Sequence, residues 1–362
     1  MLEPRLRKGL GAPGPRRAKA KLYDERVRRA LVQIWELLDY ACGKRLVAVL
    51  PELIVKLAQF NELQLDEETK TKLRQLSAST ADRLLQPERR KYELKSRGRT
   101  RPGTLLKHQI PIRTFADWDE QKPGFVELDL VAHDGGMAIG DYAQTLDMTD
   151  ICTGWTQTIA VPNKAQVWVF EAIDQARGRL PFPLLGIDSD NGSEFINHEL
   201  WRYCLKQGIL FTRSRPYRKN DNCYVEQKNY SVVRRKVGYQ RFDTAKEGLL
   251  LNQLYDQLRL FTNFFEPTMR LKSKERLGSR VKRRYDAPKT PYQRVLDSPD
   301  VTEANKDALR HQYQKLNPAA LNRAWRKLQK QLFALAAAKP RKALRRYRHG
   351  DHSVWIKPLP PL

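Results

Sequence analysis

Three successive runs of sequence decide the fold: GFVELDLVAH (residues 124–133), DYAQTLDMTD (141–150) and GWTQTIAVP (154–162). Each run is rich in apolar and β-branched residues, and turn-forming residues separate the runs, which is the pattern of an antiparallel meander. The elements predicted after them are a helix over about 164–177, the strand PLLGID (183–188), a helix over 197–208, the strand ILFTRS (209–214) and a long helix from about Tyr224. This order predicts a mixed α/β domain over residues 116–268.

Three carboxylates in this region fall where its strands and helices would meet. Asp129 lies inside the first strand, where aspartate is disfavoured unless something uses it. Asp190 directly follows the fourth strand, and the Asn-Gly pair after it permits a sharp turn that aims its carboxylate over the sheet. Glu226 opens the last helix, with 35 residues between it and Asp190. Asp188, on the same strand face as Asp190, is the alternative for the second position.

Convergent carboxylates of this kind suit phosphodiester chemistry. Two Mg²⁺ ions about 3.5 to 4 Å apart can stabilise both the attacking and the leaving oxygen of such a reaction. Mg²⁺ prefers hard carboxylate oxygens as ligands, so Asp129, Asp190 and Glu226 are candidate ligands.

Three segments carry a resemblance to a known family: LDL around Asp129, SDNGSEF around Asp190, and the stretch from RPY to VEQKN that contains Glu226. Through them, residues 116–250 resemble the retroviral-integrase-like DDE transposases of bacterial insertion sequences, whose catalytic core has an RNase H-like fold. The resemblance implies a polynucleotidyl transferase in which these three residues are catalytic and hold two Mg²⁺ ions, with Mn²⁺ as a substitute. It favours Asp190 over Asp188, because only Asp190 matches both the family's turn and its 35-residue gap.

The distribution of charge predicts a polyanionic partner. The chain has 67 Lys+Arg and 41 Asp+Glu, a net charge of +26. Residues 116–250 contain 16 basic and 19 acidic residues (net −3), whereas residues 270–362 contain 24 and 7 (net +17). An acidic middle between basic ends is what a metal-dependent enzyme acting on DNA needs. The expected partner is therefore double-stranded DNA, as element ends and as target, with no small-molecule substrate.

Two short helical patterns, DEETKTKLRQLS (66–77) and SASTADRLLQ (77–86), predict a helix-turn-helix within a helical domain over residues 23–90. The second helix is expected to begin at Ser77 or Ser79 and to end at Pro87, and to offer Thr80 and Arg83 to a major groove. The apolar segment ahead of the pair is expected to be interrupted at Pro51.

The remaining segments are basic. Residues 1–22 are predicted to form a flexible arm and residues 91–115 a linker. Residues 269–362 are predicted to form a partly helical DNA-binding region. The expectations within that region are an extended tract over 268–296 whose Tyr285 and Tyr292 stack on bases, a capping box of Asp300 with Glu303, and a helix starting at Asn317-Pro318.

Polar residues near Glu226 are further candidates for contact with DNA phosphates or for orienting metal ligands. They are Arg218, Lys219, Asn220, Lys228, Asn229, Arg234, Arg235 and Lys236. The four cysteines form no CxxC pair and are expected to be free thiols. No run approaches the roughly 18 apolar residues of a membrane span, so the expected location is the cytoplasm, on the nucleoid, with no membrane partner.

The leading hypothesis is a transposase that cleaves and joins DNA at the ends of a mobile element. The resemblance implies a homo-multimer, because two element ends must be processed together. One alternative is an RNase H-like nuclease or resolvase that only hydrolyses DNA. The other is a catalytically defective or repurposed DNA-binding descendant, since proteins that look like this often carry a further helix-turn-helix ahead of such a basic arm.

Overall fold

The computed structural model describes residues 23–92, 121–190, 192, 194–213, 223–277 and 280–339. The predicted arm (1–22), nearly all of the predicted linker and residues 340–362 lie outside the described residues. The helices are α1 (Glu25–Leu37), α2 (Gly43–Gln59), α3 (Glu67–Arg74), α4 (Ala78–Arg89), α5 (Gln166–Arg177), α6 (His198–Gln207), α7 (Cys223–Lys228), α8 (Arg235–Val237), α9 (Ala245–Phe265), α10 (Pro291–Asp297), α11 (Glu303–Lys315) and α12 (Pro318–Ala337). The strands are β1 (Phe125–Ala132), β2 (Gln144–Asp150), β3 (Thr156–Val161), β4 (Gly186–Ser189), β5 (Leu210–Arg213), β6 (Leu271–Leu277) and β7 (Arg280–Tyr285).

A five-stranded sheet with the order β3-β2-β1-β4-β5 forms the centre of the protein. β1, β2 and β3 pair antiparallel, whereas β4 and β5 run parallel to β1. This is the mixed, RNase H-like arrangement that the sequence predicts. Leu128 of β1 and Ser189 of β4 are the last parallel partners, so the residues that follow them are neighbours: Asp129 lies in the middle of β1, and Asp190 directly follows the end of β4.

The two faces of the sheet differ in chemistry. One face is apolar, with Val126, Leu128 and Ile187 packed against residues of α5 and α6 such as Ile173 and Leu200. The opposite face is buried but polar, and the helices that follow β5 cover it. Strand alternation explains the difference, because residues two apart share a face and β1 therefore alternates apolar and acidic positions.

Helix α9 closes the exposed edge of β3 through two asparagines. The Asn252 amide accepts from the N–H of Ala160 at 2.8 Å and donates to its carbonyl at 3.0 Å. Asn263 makes the same pair of bonds to Thr156, at 2.9 and 2.8 Å. Amide side chains thus take the place of a sixth strand at Thr156 and Ala160.

The helical domain has α3 and α4 joined through residues 75–77, at the predicted positions. The Ser77 hydroxyl accepts from the N–H of Thr80, which makes Ser77 the N-cap of α4. Two expectations were wrong, since α2 runs through Pro51 and α4 runs through Pro87. Each proline is exposed and removes only its own N–H, while buried neighbours such as Leu50 and Leu85 keep the helix docked.

The C-terminal helices pack on this helical domain and on α9. Asn322 donates to the carbonyl of Leu37 at 2.8 Å, and Lys56 donates to the carbonyl of Gln314 at 2.8 Å. Trp325 is buried against residues of α9 such as Leu258. The helical domain, the sheet and the C-terminal helices therefore share continuous contacts.

Three details of the C-terminal region differ from expectation. The extended tract is a two-stranded hairpin, β6–β7, followed by helix α10. Tyr292 is buried and stacks on Tyr313 with ring centres 4.7 Å apart, so it is not available to nucleotide bases. Thr302 rather than Asp300 caps α11, because its hydroxyl accepts from the N–H of Asn305. The predicted start of α12 is confirmed, with Asn317 as its N-cap and Pro318 after it.

Among the residues that the structure describes, no helix combines the length and the apolar character of a membrane-spanning segment.

Candidate active site

Asp129 and Asp190 form a pair of neighbouring, partly buried carboxylates. One oxygen of Asp129 accepts from the N–H of Leu130 at 2.8 Å, and one oxygen of Asp190 accepts from the N–H of Gly192 at 2.8 Å. Burial and then the charge of Asp190 raise the pKa of Asp129 to about 8, and burial also raises the pKa of Asp190. The two carboxylates repel each other in a desolvated setting, and a bound cation would relieve that repulsion.

Asn229 holds the second oxygen of Asp129. Its amide nitrogen donates to Asp129 Oδ2 at 2.6 Å, while its own Oδ1 is buried without a partner among the described residues. Asn229 is the first residue of a π-helical segment, Asn229–Arg234, that lies between α7 and α8. Such wider turns recur at functional sites. The structure thus gives this predicted residue a contact with Asp129.

Glu127 is the residue that sequence reasoning missed. It is fully buried on the same face of β1 as Asp129, and its Oε2 accepts from the N–H of Val225 at 2.6 Å. Burial raises its pKa well above the usual range. The bond fixes the first turn of α7, which carries Glu226 at an exposed position. The sequence does contain a signal for this role, because Glu127 is an acidic residue on the same face of β1 as Asp129.

Asp188 lies deeper than Asp190. It is the register partner of Glu127, is almost fully buried, and accepts from the Thr212 hydroxyl at 2.5 Å. The Asp188 carboxylate therefore lies in the protein interior, whereas Asp190 directly follows the end of β4.

Lys228 and Asp147 lie under the carboxylate pair. Asp147 is the β2 partner of Asp129 and is fully buried, and this burial raises its pKa to about 7. Lys228 is 5% exposed, and burial lowers its pKa to about 8 although Glu266 and Asp147 favour its charged form. The expectation that Lys228 contacts DNA was wrong for this structure, because its side chain does not reach the surface.

The basic residues at the end of the π-helical segment and directly after it are also mostly engaged within the protein. Lys236 is 1% exposed, and its ammonium lies 2.8 Å from both Asp39 and Glu266. This corrects the expectation that Lys236 contacts DNA. Arg235 pairs with Asp39 at 2.9 Å, and Arg234 lies 4.8 Å from the ring centre of Tyr239. Asp39 belongs to the helical domain, so these contacts join that domain to the core.

The other predicted DNA contacts divide into two groups. Arg83 is exposed on α4 and donates to the Thr80 hydroxyl at 3.0 Å, so the two side chains lie together on the surface. Arg218, Lys219 and Asn220 lie outside the described residues.

The three candidate ligands are not drawn into one cluster. Within the described ranges, no group of three His, Cys, Asp or Glu side chains is close enough to hold a metal ion. Asp129 and Asp190 are neighbours, and Glu226 lies on the adjoining helix. Two desolvated carboxylates beside the unpartnered Oδ1 of Asn229 form a set of hard oxygen donors, and this chemistry fits a divalent cation.

Comparison with known proteins identifies the same region. The model of the integrase core domain family matches residues 119–219, a range that includes Asp129 and Asp190 and ends before Glu226. The uncharacterized protein y4rM of Sinorhizobium fredii (strain NBRC 101917 / NGR234) is 43% identical over 289 residues, which cover 80% of this chain and 83% of y4rM.

Solved structures that resemble this chain include two integrase catalytic core domains. The catalytic core domain of BIV integrase is 16% identical, covers 52% of this chain and 98% of its own, and has a TM-score of 0.30. The HTLV-2 integrase catalytic core domain, solved in complex with magnesium, is 16% identical, covers 40% of this chain and 90% of its own, and has a TM-score of 0.30.

Proposed function

This chain belongs to the same family as y4rM and contains a region that matches the integrase core domain, and from that premise we propose that it is a DDE transposase. It cleaves DNA strands at the ends of a mobile element and joins them to target DNA. One observation carries the proposal: Asp129, within β1, and Asp190, directly after the adjacent parallel strand β4, are neighbouring carboxylates, and β1 also fixes the helix that carries Glu226.

Asp129, Asp190 and Glu226 would hold two Mg²⁺ ions, and Mn²⁺ would substitute for them. When bound, the ions supply electrostatic stabilisation of the attacking and leaving oxygens. Other residues of the chain hold these ligands in position. Asn229 fixes the orientation of Asp129, and Glu127 fixes the first turn of α7, so two of the three carboxylates have rigid supports. Supports of this kind hold ligands in the productive geometry.

The reaction has two steps. Water attacks the phosphodiester at the element end, the P–O bond to the leaving 3′-oxygen breaks, and a free 3′-hydroxyl is left. That hydroxyl then attacks a phosphodiester of the target, forming a new P–O bond while a target 3′-oxygen leaves. Neither step needs a covalent bond to the protein.

Double-stranded DNA is the proposed partner, and Thr80 and Arg83, on the surface of α4, are proposed contacts. Arg218, Lys219, Asn220, Arg234 and Arg235 remain proposed contacts near the site. We expect a homo-multimer on DNA, acting on the nucleoid in the cytoplasm. The net charge of +26, concentrated outside the α/β core, supports this partner.

A strand-transfer assay with Mg²⁺ or Mn²⁺ and the element's own terminal sequences tests the proposal. We expect joined products from the wild-type protein and none from Asp190→Asn. Asp188→Asn is the matched control, since its amide can still accept from Thr212, and we expect it to keep activity. Hydrolysed but unjoined DNA would identify a nuclease, and binding without any metal-dependent product would identify a repurposed DNA-binding protein.

A further inference from the structure

The hairpin β6–β7 stands apart from the three cores of the protein. No residue of either strand belongs to the buried clusters among the described residues, and Val281 and Tyr285 are 41% and 50% exposed. The strands pair antiparallel from Leu271↔Tyr285 to Leu277↔Arg280. An isolated two-stranded hairpin is marginally stable in water, because it has no third strand or helix to cover either face. A partner that covers it would stabilise it.

The charge of the hairpin indicates what that partner is. Residues 271–285 contain seven basic residues and one acidic residue, Glu275. Lys282, Arg283 and Arg284 follow one another on β7 and are all exposed. Side chains alternate along a strand, so both faces of the ribbon present positive charge. Lys272, Lys282, Arg283 and Arg284 have no ion pair with any residue that the structure describes.

The base of the hairpin is held firmly. The Asp286 carboxylate accepts from the N–H of Arg270 at 2.6 Å and pairs with Arg294 at 2.7 Å. Arg294 also donates to the carbonyl of Thr268 at 3.0 Å. Thr268 and Lys289 exchange two backbone hydrogen bonds of 2.9 and 3.1 Å just below the strands. The ribbon thus extends from a fixed base, and the side chains of β7 from Val281 to Tyr285 are all exposed.

We propose that β6–β7 is a DNA-binding arm that lies in the major groove of duplex DNA. The major groove admits a two-stranded β-ribbon, and basic side chains on both faces would then meet the phosphates on its two walls. This inference deepens the proposed function and rests on it, since the duplex is the DNA on which the transposase acts.

Binding of the full-length protein to a fluorescein-labelled duplex of random sequence, in buffer with EDTA, tests the arm without any chemistry. The variant is Lys282→Gln with Arg283→Gln and Arg284→Gln. The matched control removes three exposed charges outside residues 269–362, as Lys164→Gln with Arg202→Gln and Lys206→Gln. We expect the arm variant to bind at least about tenfold more weakly, and its salt slope to fall by about 1 for each phosphate that the arm no longer neutralises, up to about 3.

Three results would overturn the proposal. They are equal salt slopes for the arm variant and wild type, an equal loss of affinity in the control variant, and stronger binding of a single strand than of the duplex. A second variant, Lys272→Gln with Arg283→Gln, removes one positive charge from each strand. It should also bind duplex DNA more weakly than wild type. Competition by the major-groove ligand methyl green, and not by the minor-groove ligand netropsin, is the expected pattern, and the reverse would contradict the groove assignment.

This test and the test of the proposed function can fail separately. If the arm binds duplex DNA but the protein forms no joined product, the proposed strand-transfer activity is contradicted and the proposed DNA-binding arm is supported. If the protein forms joined products but the arm variant binds duplex DNA as tightly as wild type, the strand-transfer activity is supported and the DNA-binding arm is contradicted.

Discussion

The buried carboxylate of Glu127 accepts a hydrogen bond of 2.6 Å from the backbone N–H of Val225, 98 residues away in the chain. Glu127 is two residues before Asp129 on β1, and Val225 is next to Glu226 on α7. The bond therefore sets the distance between the strand and the helix that carry two of the three proposed metal ligands.

Replacing Glu127 tests this link. Glu127→Ala removes the acceptor, so we expect α7 to shift, strand transfer to fall about 10- to 100-fold and the Mg²⁺ concentration for half-maximal activity to rise. Glu127→Gln keeps an oxygen for the Val225 N–H and should retain most activity. The measurement is strand-transfer rate against Mg²⁺ concentration for both variants. Equal Mg²⁺ requirements in Glu127→Ala and wild type would show that the bond does not position Glu226.

Asn229 should matter for metal affinity through Asp129. Asn229→Ala removes the 2.6 Å bond to Asp129 Oδ2, and we expect a loss of about 10- to 100-fold in apparent Mg²⁺ affinity. Tyr230→Phe is the control, because Tyr230 is the next residue and is 55% exposed. Titration of activity with Mg²⁺ gives the comparison, and a similar response of the two variants would be evidence against an orienting role.

Lys236 should control how stability depends on pH. Burial opposes ionisation of Glu266, but the ammonium of Lys236, together with Lys228 and the Thr262 hydroxyl, lowers the pKa of that carboxyl. A lowered folded-state pKa stabilises the fold above the unfolded value of about 4.3, and that stabilisation is lost as pH falls through the folded value. Lys236→Met leaves a buried carboxylate without this partner, which costs about 3 to 5 kcal/mol at pH 7.

The sign of the pH dependence should reverse in this variant. Burial without Lys236 raises the pKa of Glu266, so the variant should gain stability as pH falls from 7 to 5, relative to wild type. Urea unfolding at several pH values measures this difference. A constant difference between the two proteins over that range would rule out the assigned pairing.

Gly43 is required by a close approach between helices. A Cβ at this position would press on the carbonyl oxygen of Ala78 and on the Asp82 carboxylate, which accepts from the N–H of Gly43 at 2.8 Å. We expect Gly43→Ala to destabilise the protein by about 1 to 3 kcal/mol. Lys44→Ala, at the exposed next position, should have little effect in thermal unfolding. Equal melting temperatures for both variants would show that α2 and α4 can move apart freely.

Much of the core could be predicted from sequence because its signals are local. Alternation in residues 124–162 determined which residues of β1 share a face, and the turn after Asp190 marked a strand end. The role of Glu127 could not be predicted, since it depends on a contact with Val225 across 98 residues. The burial of Lys228 and Lys236 was missed for a similar reason. Lys228 is buried near Asp147 and Glu266, which are distant in sequence. Lys236 follows a π-helical segment, which changes the number of residues per turn, so a regular helical period assigns its side chain to the wrong face.

The two prolines also show that a local sequence signal can be overridden by tertiary packing. Pro51 and Pro87 indicated helix ends, but tertiary packing of the surrounding leucines outweighs the loss of one hydrogen bond at each position. The hairpin β6–β7 was obscured by its own charge, because basic residues on both faces hide the alternation that marks a strand.

The most direct test of the central claim is a single-turnover strand-transfer assay that compares Glu226→Gln with Glu199→Gln, an exposed position on α6. The proposed site predicts that Glu226→Gln binds element ends like wild type but forms no joined product, while Glu199→Gln joins DNA normally. Full strand transfer by Glu226→Gln would contradict the assignment of Asp129, Asp190 and Glu226 as the catalytic triad.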